Sequence, residues 1–246
     1  MYNNNSSNKI YNSFMKKFFC TDNITLIISF LSLFISTLIL LISLLPKTTD
    51  IQICEKNILK VVEIKVSNDD ESFGYGTGCL VSEDGLILTN KHMVYNSTLN
   101  KIYSIIKIRF ATDNEFIDAD VVEIDETADL AKIKIQKDHC SYFKLGQDVN
   151  NGETIYTIGN PNGFGLSFTK GIVSSKKRNV IYNDNVIEAM QTDFVINEGN
   201  SGGPIFNING ELVGIISFRL KDKSDQVIQG VSFGVLINQI KNFLNN

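Results

Sequence analysis

Three residues of the sequence have side chains that could together hydrolyse a peptide bond: His92, Asp129 and Ser201. A serine hydroxyl is a weak nucleophile at neutral pH and needs a base to remove its proton. Histidine can accept that proton and return it to the leaving amine, and an aspartate can fix the imidazole tautomer. The residue types therefore indicate acyl-transfer chemistry, provided that the fold brings the three side chains together.

The residues around Ser201 favour a reactive site over an ordinary glycine-rich turn. It stands in Gly-Asn-Ser-Gly-Gly-Pro at 199–204, where glycines let the backbone approach a ligand closely. The five residues 199–203 also fit the nucleophile turn of α/β-hydrolases, but in that fold the histidine follows the serine. The sequence has two histidines, His92 and His139, and both precede Ser201. The α/β-hydrolase interpretation is therefore excluded.

The order His, Asp, Ser and several glycine-rich motifs resemble the trypsin-like serine proteases, most closely the HtrA/Deg (high-temperature-requirement A) group. The motifs are Gly-Tyr-Gly-Thr-Gly at 74–78, Gly-Asn-Pro-Asn-Gly-Phe-Gly at 159–165 and Gly-Ile-Val-Ser at 171–174. The resemblance extends from about residue 56 to 244. It implies an all-β, chymotrypsin-like double β-barrel and a serine endopeptidase that cleaves unfolded or damaged proteins through an acyl-enzyme.

Other residues compete for the roles of base and acid. His139 lies in the polar stretch Lys-Asp-His-Cys-Ser, which is typical of a surface linker, whereas His92 lies in the family motif. Asp125 and Asp138 compete with Asp129 for the acid. Only Asp129 directly precedes an alternating strand pattern within the family pattern, so we expect it to orient His92.

The resemblance also implies roles for residues near the nucleophile. The backbone N–H groups of Gly199 and Ser201 would form the oxyanion hole, and Ser217 would lie beside the aspartate, although it could also be an ordinary strand serine. Val195, six residues before the nucleophile, would line the specificity pocket with Ile196 and Ser217. Thr77 and Gly78 match a family loop near the leaving-group side.

The specificity pocket is expected to accept small or medium aliphatic side chains. Val195 stands where trypsin has an aspartate, so a bound Lys or Arg would bury its charge without a partner. Branched side chains on the wall would also exclude large aromatics by overpacking. We therefore expect cleavage after Val, Ala, Ile or Leu.

Alternating apolar patterns predict the strands of two barrels, at about 57–137 and 153–235, joined by a polar linker at 138–152. Asp84-Gly85 and Asn209-Gly210 are typical hairpin turns. The apolar spacing at the C-terminal end of the chain predicts an amphipathic helix. The predicted strands are 57–66, 79–81, 86–89, 105–111, 116–124, 130–135, 153–159, 166–174, 186–192, 204–208, 211–219 and 228–235.

An uncharged segment at 24–45 separates a polar N-terminal segment, residues 1–23, from the rest of the chain. Its 22 residues would span about 33 Å as a helix, which matches the hydrocarbon core of a bilayer. We expect one transmembrane anchor; a cleaved signal peptide and a buried core helix are the alternatives. Residues 46–56 are then a short tether, followed by a protease domain at 57–246.

Three lysines precede the apolar segment, which predicts an N-terminus in the cytoplasm and a protease domain outside the cell membrane. These are Lys9, Lys16 and Lys17. The HtrA/Deg group commonly adds PDZ domains after the protease; nothing follows the closing helix here, so we expect a member without one. The resemblance suggests a homotrimer.

Composition gives little support for other function classes. The formal net charge of −4 gives no argument for a nucleic-acid partner. Four cysteines without Cys-x-x-Cys spacing and two histidines make a structural zinc site improbable, and no cofactor is expected. A catalytically silent protease fold that only binds other proteins is the alternative function. Because base, acid, nucleophile and oxyanion glycine are all present, the enzyme is favoured.

Overall fold

The computed structural model describes residues 21–43, 48–69, 72–182, 185–224 and 226–245. The chain divides into two compact units, Met1–Thr48 and Thr49–Asn246. In the first unit, helix α1 (Thr21–Ser43) contains the window Asn23–Leu41, whose mean hydropathy is 2.6 and none of which is buried. This helix is long and apolar enough to cross a membrane. Residues 1–20 of the predicted polar segment and residues 44–47, where the predicted anchor meets the predicted tether, lie outside the described residues.

The second unit is mostly β-structure, built from two seven-stranded sheets. The first sheet has the strand order β7-β6-β1-β2-β3-β9-β8, and the small pair β4-β5 lies outside it. Its neighbouring strands pair antiparallel. The strands are β1 (Val61–Ser67), β2 (Gly74–Leu80), β3 (Leu86–Thr89), β4 (Tyr95–Asn96), β5 (Lys101–Ile102), β6 (Ile105–Phe110), β7 (Ile117–Asp118), β8 (Asp120–Asp125) and β9 (Leu130–Lys134).

The second sheet closes into a barrel because its last strand, β16, pairs with both β13 and β15. Its order is β10-β15-β14-β11-β12-β13-β16. The short strand β10 lies inside the predicted linker and pairs parallel with β15. The strands are β10 (Lys144–Leu145), β11 (Thr154–Gly159), β12 (Ser167–Tyr182), β13 (Asn185–Thr192), β14 (Pro204–Asn207), β15 (Glu211–Lys221) and β16 (Val227–Leu236). The predicted chymotrypsin-like double-barrel fold is confirmed.

The two sheets share one apolar core. Val61, Cys79 and Leu88 from the first sheet pack in the same cluster as Tyr156 and Phe206 from the second. Each sheet also has its own cluster, centred on β1 and β6 in the first and on β13 to β15 in the second. Because burial of apolar surface is the main driving force of folding, this shared core fixes the two barrels against each other.

A helix replaces most of the predicted tether. Helix α2 (Asp50–Ile58) begins at a capping box in which Thr49 and Gln52 exchange hydrogen bonds. Its residue Ile53 is 2% exposed and packs into the shared core. Its apolar residues are Ile51, Ile53, Cys54 and Ile58, and the helix turns Ile51 to solvent at 70% exposure. Their spacing has no clear helical period, which explains why the pattern suggested a tether. The compact unit accordingly begins at Thr49 rather than at 57.

Helix α2 is also joined to the second barrel by polar contacts. Asp50 accepts hydrogen bonds from Tyr156 Oη at 2.9 Å and from Lys170 Nζ at 2.8 Å. The hydrogen bond from Lys170 holds the pKa of Asp50 below its usual value, because it favours the ionised carboxylate. The start of the helix is therefore held on strands β11 and β12.

The remaining helices are short. Helix α3 (Lys91–Val94) follows β3, and a 3₁₀ turn (Pro161–Gly163) follows β11. The predicted C-terminal helix is confirmed as α4 (Ile237–Asn245), with Ile237, Ile240 and Phe243 buried. Strand β12 runs to Tyr182, well beyond its predicted end at 174, and β15 runs two residues beyond its predicted end, to Lys221. In the extension of β12, Tyr182 stacks on Phe218, with 4.0 Å between ring centroids.

Candidate active site

The predicted base lies on the one-turn helix α3. Strand β3 pairs with β2 and β9, and its pairing with β9 continues to its last residue, Thr89. Helix α3 starts two residues later. Met93 and Val94 are buried on this turn, whereas the His92 side chain is 45% exposed. Packing of its neighbours therefore fixes the turn while the imidazole remains open to a substrate.

The predicted acid stands immediately before β9 in a left-handed backbone conformation. Asp129 has φ +53°, a region that aspartate tolerates better than most residues. Its carbonyl oxygen accepts hydrogen bonds from Lys91 N–H at 3.1 Å and from Asn90 Nδ2 at 3.0 Å. These two bonds join the turn before β9 to the turn that carries His92.

The carboxylate of Asp129 contacts both the side chain and the backbone of His92. Its Oδ2 lies 2.8 Å from His92 Nδ1, and its Oδ1 accepts from the His92 backbone N–H at 3.1 Å. Because a carboxylate only accepts hydrogen bonds, Nδ1 carries the ring proton. The lone pair of Nε2 is then available as a base, as a His-Asp pair requires.

Ser217 connects this pair to the second barrel. Its hydroxyl donates to Asp129 Oδ2 at 2.8 Å, and its backbone carbonyl accepts from Ser201 Oγ at 3.2 Å. Ser217 is 6% exposed, whereas its partners Asp129 and Ser201 remain partly exposed. Within the part of the chain that the structure describes, the Ser201 hydroxyl donates to this carbonyl rather than to His92. Asp129 and Ser201 thus bond to one shared neighbour, and His92 is linked to it through Asp129.

The backbone around Ser201 leaves two donors without a protein acceptor. Among the described residues, the N–H groups of Gly199 and Ser201 donate no intrachain hydrogen bond, as an oxyanion hole requires. Gly199 has φ +93°, and a Cβ atom there would lie 2.1 Å from the carbonyl oxygen of Asn160. Only glycine fits this position, because a side chain would meet both backbone strain and a clash.

The predicted pocket residues have different environments. Val195 is 57% exposed, whereas Ile196 is 6% exposed and packs in the core of the second barrel. The carbonyl of Ile196 accepts from Arg219 Nη1 at 3.0 Å. Arg219 therefore joins the loop before the nucleophile to strand β15. Sequence reasoning did not find this contact, because nothing in the local pattern distinguishes Arg219 from a solvated arginine.

The residues that competed for the roles of base and acid, His139, Asp125 and Asp138, lie outside this site. Asp125 accepts from the backbone N–H groups of Thr127 and Ala128, at 2.8 and 3.0 Å, and so stabilises the turn before β9. His139 and Asp138 are exposed in the segment after β9. Within the described ranges, none of the three forms a hydrogen bond or an ion pair with His92 or Ser201.

Comparison with known proteins agrees with this fold. The family model for the trypsin-like peptidase domain matches residues 76–215. A probable periplasmic serine endoprotease, DegP-like, from Hahella chejuensis is 38% identical over 177 residues, which are 71% of this chain and 36% of that protein. Serine protease HTRA1 from Xenopus tropicalis is 37% identical over 175 residues, 69% of this chain and 35% of that protein.

A solved structure, an HtrA-type protease AlgW with a tripeptide, is also similar. It superposes with a TM-score of 0.69 at 26% identity and covers 80% of this chain and 63% of that one. The chain thus belongs to the trypsin-like peptidase family, and its relatives are of the HtrA type, as the resemblance predicted. It spans about a third of the length of the two sequence relatives described above.

Proposed function

We propose that this chain is a serine endopeptidase that hydrolyses peptide bonds of unfolded polypeptides through an acyl-enzyme. The single observation that carries this proposal is the pair of hydrogen bonds made by Ser217. They join the carboxylate of Asp129 to the hydroxyl of Ser201, while Asp129 orients His92. A base, its orienting acid and a nucleophile are thus joined through one buried residue.

The first chemical step uses the free lone pair of His92 Nε2. The hydroxyl of Ser201 rotates from the Ser217 carbonyl towards Nε2, which takes its proton as Oγ attacks the scissile carbonyl carbon. Asp129 stabilises the imidazolium that forms. The negative charge on the former carbonyl oxygen is offset by the N–H groups of Gly199 and Ser201.

The acyl-enzyme forms when the carbon–nitrogen bond breaks and His92 gives its proton to the leaving amine. Water then attacks the ester carbonyl and passes a proton to Nε2. Collapse of the second tetrahedral intermediate releases the new carboxylate and returns the proton to Ser201 Oγ. One histidine therefore serves both half-reactions, first as base and then as acid.

An extended peptide fits best at the edge of β15. Beyond Ile215 this strand no longer pairs with β14, and the carbonyl of Ser217 meets Ser201 Oγ there. An incoming segment can pair there as an added strand. Because folded proteins rarely present several consecutive unpaired residues, this geometry favours unfolded polypeptides as substrates.

The proposal is tested by digestion of casein with the full chain in detergent. Wild type is expected to produce fragments and Ser201→Ala none above background. Ser175→Ala is a matched control, since its hydroxyl donates only to the nearby carbonyl of Lys177. Near-wild-type digestion by Ser201→Ala would remove Ser201 as nucleophile, and an inert wild type would favour a protein-binding module.

We further propose that residues 24–45 anchor the protein in a cell membrane, with the N-terminus in the cytoplasm and the protease domain outside. The apolar helix α1 and the lysines before it support this orientation. Protease added to intact spheroplasts should digest residues 49–246 and spare an N-terminal tag.

A homotrimer, suggested by the family, should appear as three times the chain mass in detergent-corrected sedimentation.

A further inference from the structure

The four consecutive carbonyl groups of residues 198–201 all accept hydrogen bonds. Glu198 O accepts from Asn162 N–H at 2.7 Å, and Asn200 O accepts from Gly203 N–H at 3.0 Å. The other two carbonyls, of Gly199 and Ser201, accept from a single residue of the first barrel, Thr77. The backbone that carries both oxyanion donors is thus held through its carbonyls.

Thr77 reaches this loop from β2 of the first sheet. Its hydroxyl lies 2.6 Å from Gly199 O, and its backbone N–H donates to Ser201 O at 3.0 Å. The same hydroxyl accepts from Asn160 N–H at 2.9 Å. Since a backbone N–H can only donate, the proton of the Thr77 hydroxyl is committed to the carbonyl of Gly199.

Thr77 is itself fixed in place. It is fully buried, and its carbonyl accepts from Thr89 Oγ1 at 2.8 Å. Thr89 is the last residue of β3, two positions before the helix that carries His92. One residue therefore connects the strand leading to the base with the loop that carries the nucleophile.

The geometry points to Thr77 as a positioning residue that fixes the oxyanion loop from the opposite barrel. This inference rests on the proposed function and deepens it. Without the hydroxyl, the carbonyl of Gly199 and the N–H of Asn160 would both lose a buried partner, which costs more than the bond itself gains. Glycines 199, 202 and 203 give the loop freedom to relax, and the two N–H donors would then leave their positions.

The test compares Thr77→Val with Thr77→Ser in the full chain in detergent. Valine keeps the shape and removes the hydroxyl, whereas serine keeps the hydroxyl. Thr157→Val is the matched control, because Thr157 is a buried threonine of β11 whose hydroxyl has no partner among the described residues. A positioning role is distinguished from general destabilisation by separating kcat from KM on a peptide substrate.

We expect Thr77→Val to lower kcat about ten- to a hundredfold with little change in KM, because loss of a whole oxyanion donor costs about 10²–10³. A peptide boronate, which mimics the tetrahedral intermediate, should bind more weakly by a similar factor. Thr77→Ser should recover most of the activity, and Thr157→Val should match wild type. Equal kcat in Thr77→Val and wild type would overturn the inference while leaving the proposed function intact.

A second measurement does not depend on activity. Hydrogen exchange of the amides in 198–203 should be faster in Thr77→Val than in wild type or Thr157→Val, with no comparable change in β6 or β13. If wild type proved inert, the proposed function would fail, and this exchange pattern would still decide whether Thr77 fixes the loop. Unchanged exchange in this segment would contradict the inference.

Discussion

The base and acid of the first barrel contact each other through their side chains, whereas the nucleophile loop of the second barrel is held through its backbone. Asp129 accepts from both the ring and the N–H of His92. The loop at 198–201 is fixed instead by donors to its carbonyl groups, from Thr77, Asn162 and Gly203. One half of the site therefore depends on side-chain chemistry and the other on backbone conformation.

Each half is also fixed by a residue from the other barrel. Ser217 of the second barrel donates to Asp129, and Thr77 of the first barrel donates to Gly199. The complete site is thus expected to form only when the barrels pack on their shared core. Side-chain deletions should remove one catalytic function outright, and backbone changes should misplace several atoms together.

The largest effect is expected from the side-chain half. His92→Ala, Asp129→Asn and Ser201→Ala should each lower kcat by roughly three to six orders of magnitude without unfolding the domain. His139→Ala and Asp125→Asn are matched controls with residues outside the site. Kinetics with a peptide substrate and thermal melts provide the measurements.

The double variant of His92 and Ser201 sharpens this prediction. It should lose little beyond either single variant, because the two side chains act as one unit. Additive losses would mean that each residue acts alone, and the account of a shared proton transfer would fail.

The backbone half is tested by Gly199→Ala. Its Cβ would lie 2.1 Å from Asn160 O, so the loop must move and the oxyanion donors with it. We expect kcat to fall about 10²–10³-fold. Gly152→Ala is the control: its φ of +82° is similarly strained, but a Cβ there has nothing within 4 Å. It should cost about 1–2 kcal/mol of stability, because an alanine is strained in the left-handed region, and no activity. Equal activity of the two variants would argue against a role for the loop.

A smaller effect is expected from the hydrogen bond between Ser217 of the second barrel and Asp129 of the first. Ser217→Ala removes one hydrogen bond to the Asp129 carboxylate but leaves both bonds from His92. Bonds to charged groups stabilise by about 1.5–3 kcal/mol, so a loss in kcat of about tenfold or somewhat more is expected. Ser67→Ala, a buried serine of β1 that bonds only local groups, is the control. If Ser217→Ala retained full kcat, the contact would be structural only.

Val195→Asp is expected to change the total rate of cleavage least. It should instead change which peptide bonds are cut. If Val195 lines the specificity pocket, a carboxylate there should redirect cleavage from Val, Ala, Ile and Leu towards Lys and Arg. Ile208→Asp is the control, since Ile208 is 54% exposed in the turn between β14 and β15. Sequencing of casein fragments gives the cut sites. Fragments cut mostly after Lys, Arg or Phe by wild type would show that Val195 does not line the pocket.

Local patterns in the sequence predicted most of the strands and the closing helix, because strand alternation and Asn209-Gly210 are local signals, and the family resemblance predicted their arrangement as a double barrel. They could not predict helix α2, whose stability comes from burying Ile53 and from bonds to residues over 100 positions away. The same limit applies inside the site. The sequence motif identified Thr77 as a family match, but its bond to Gly199 depends on how the barrels pack.

The central claim is that His92 and Asp129 of one barrel activate Ser201 of the other, and covalent labelling tests it most directly. A fluorophosphonate reacts with an activated serine, so incubation with the full chain should give one adduct, located by mass spectrometry on Ser201. His92→Ala should lose nearly all labelling, whereas His139→Ala should label as fast as wild type. An unlabelled wild type, or a His92→Ala variant labelled at the wild-type rate, would contradict the account.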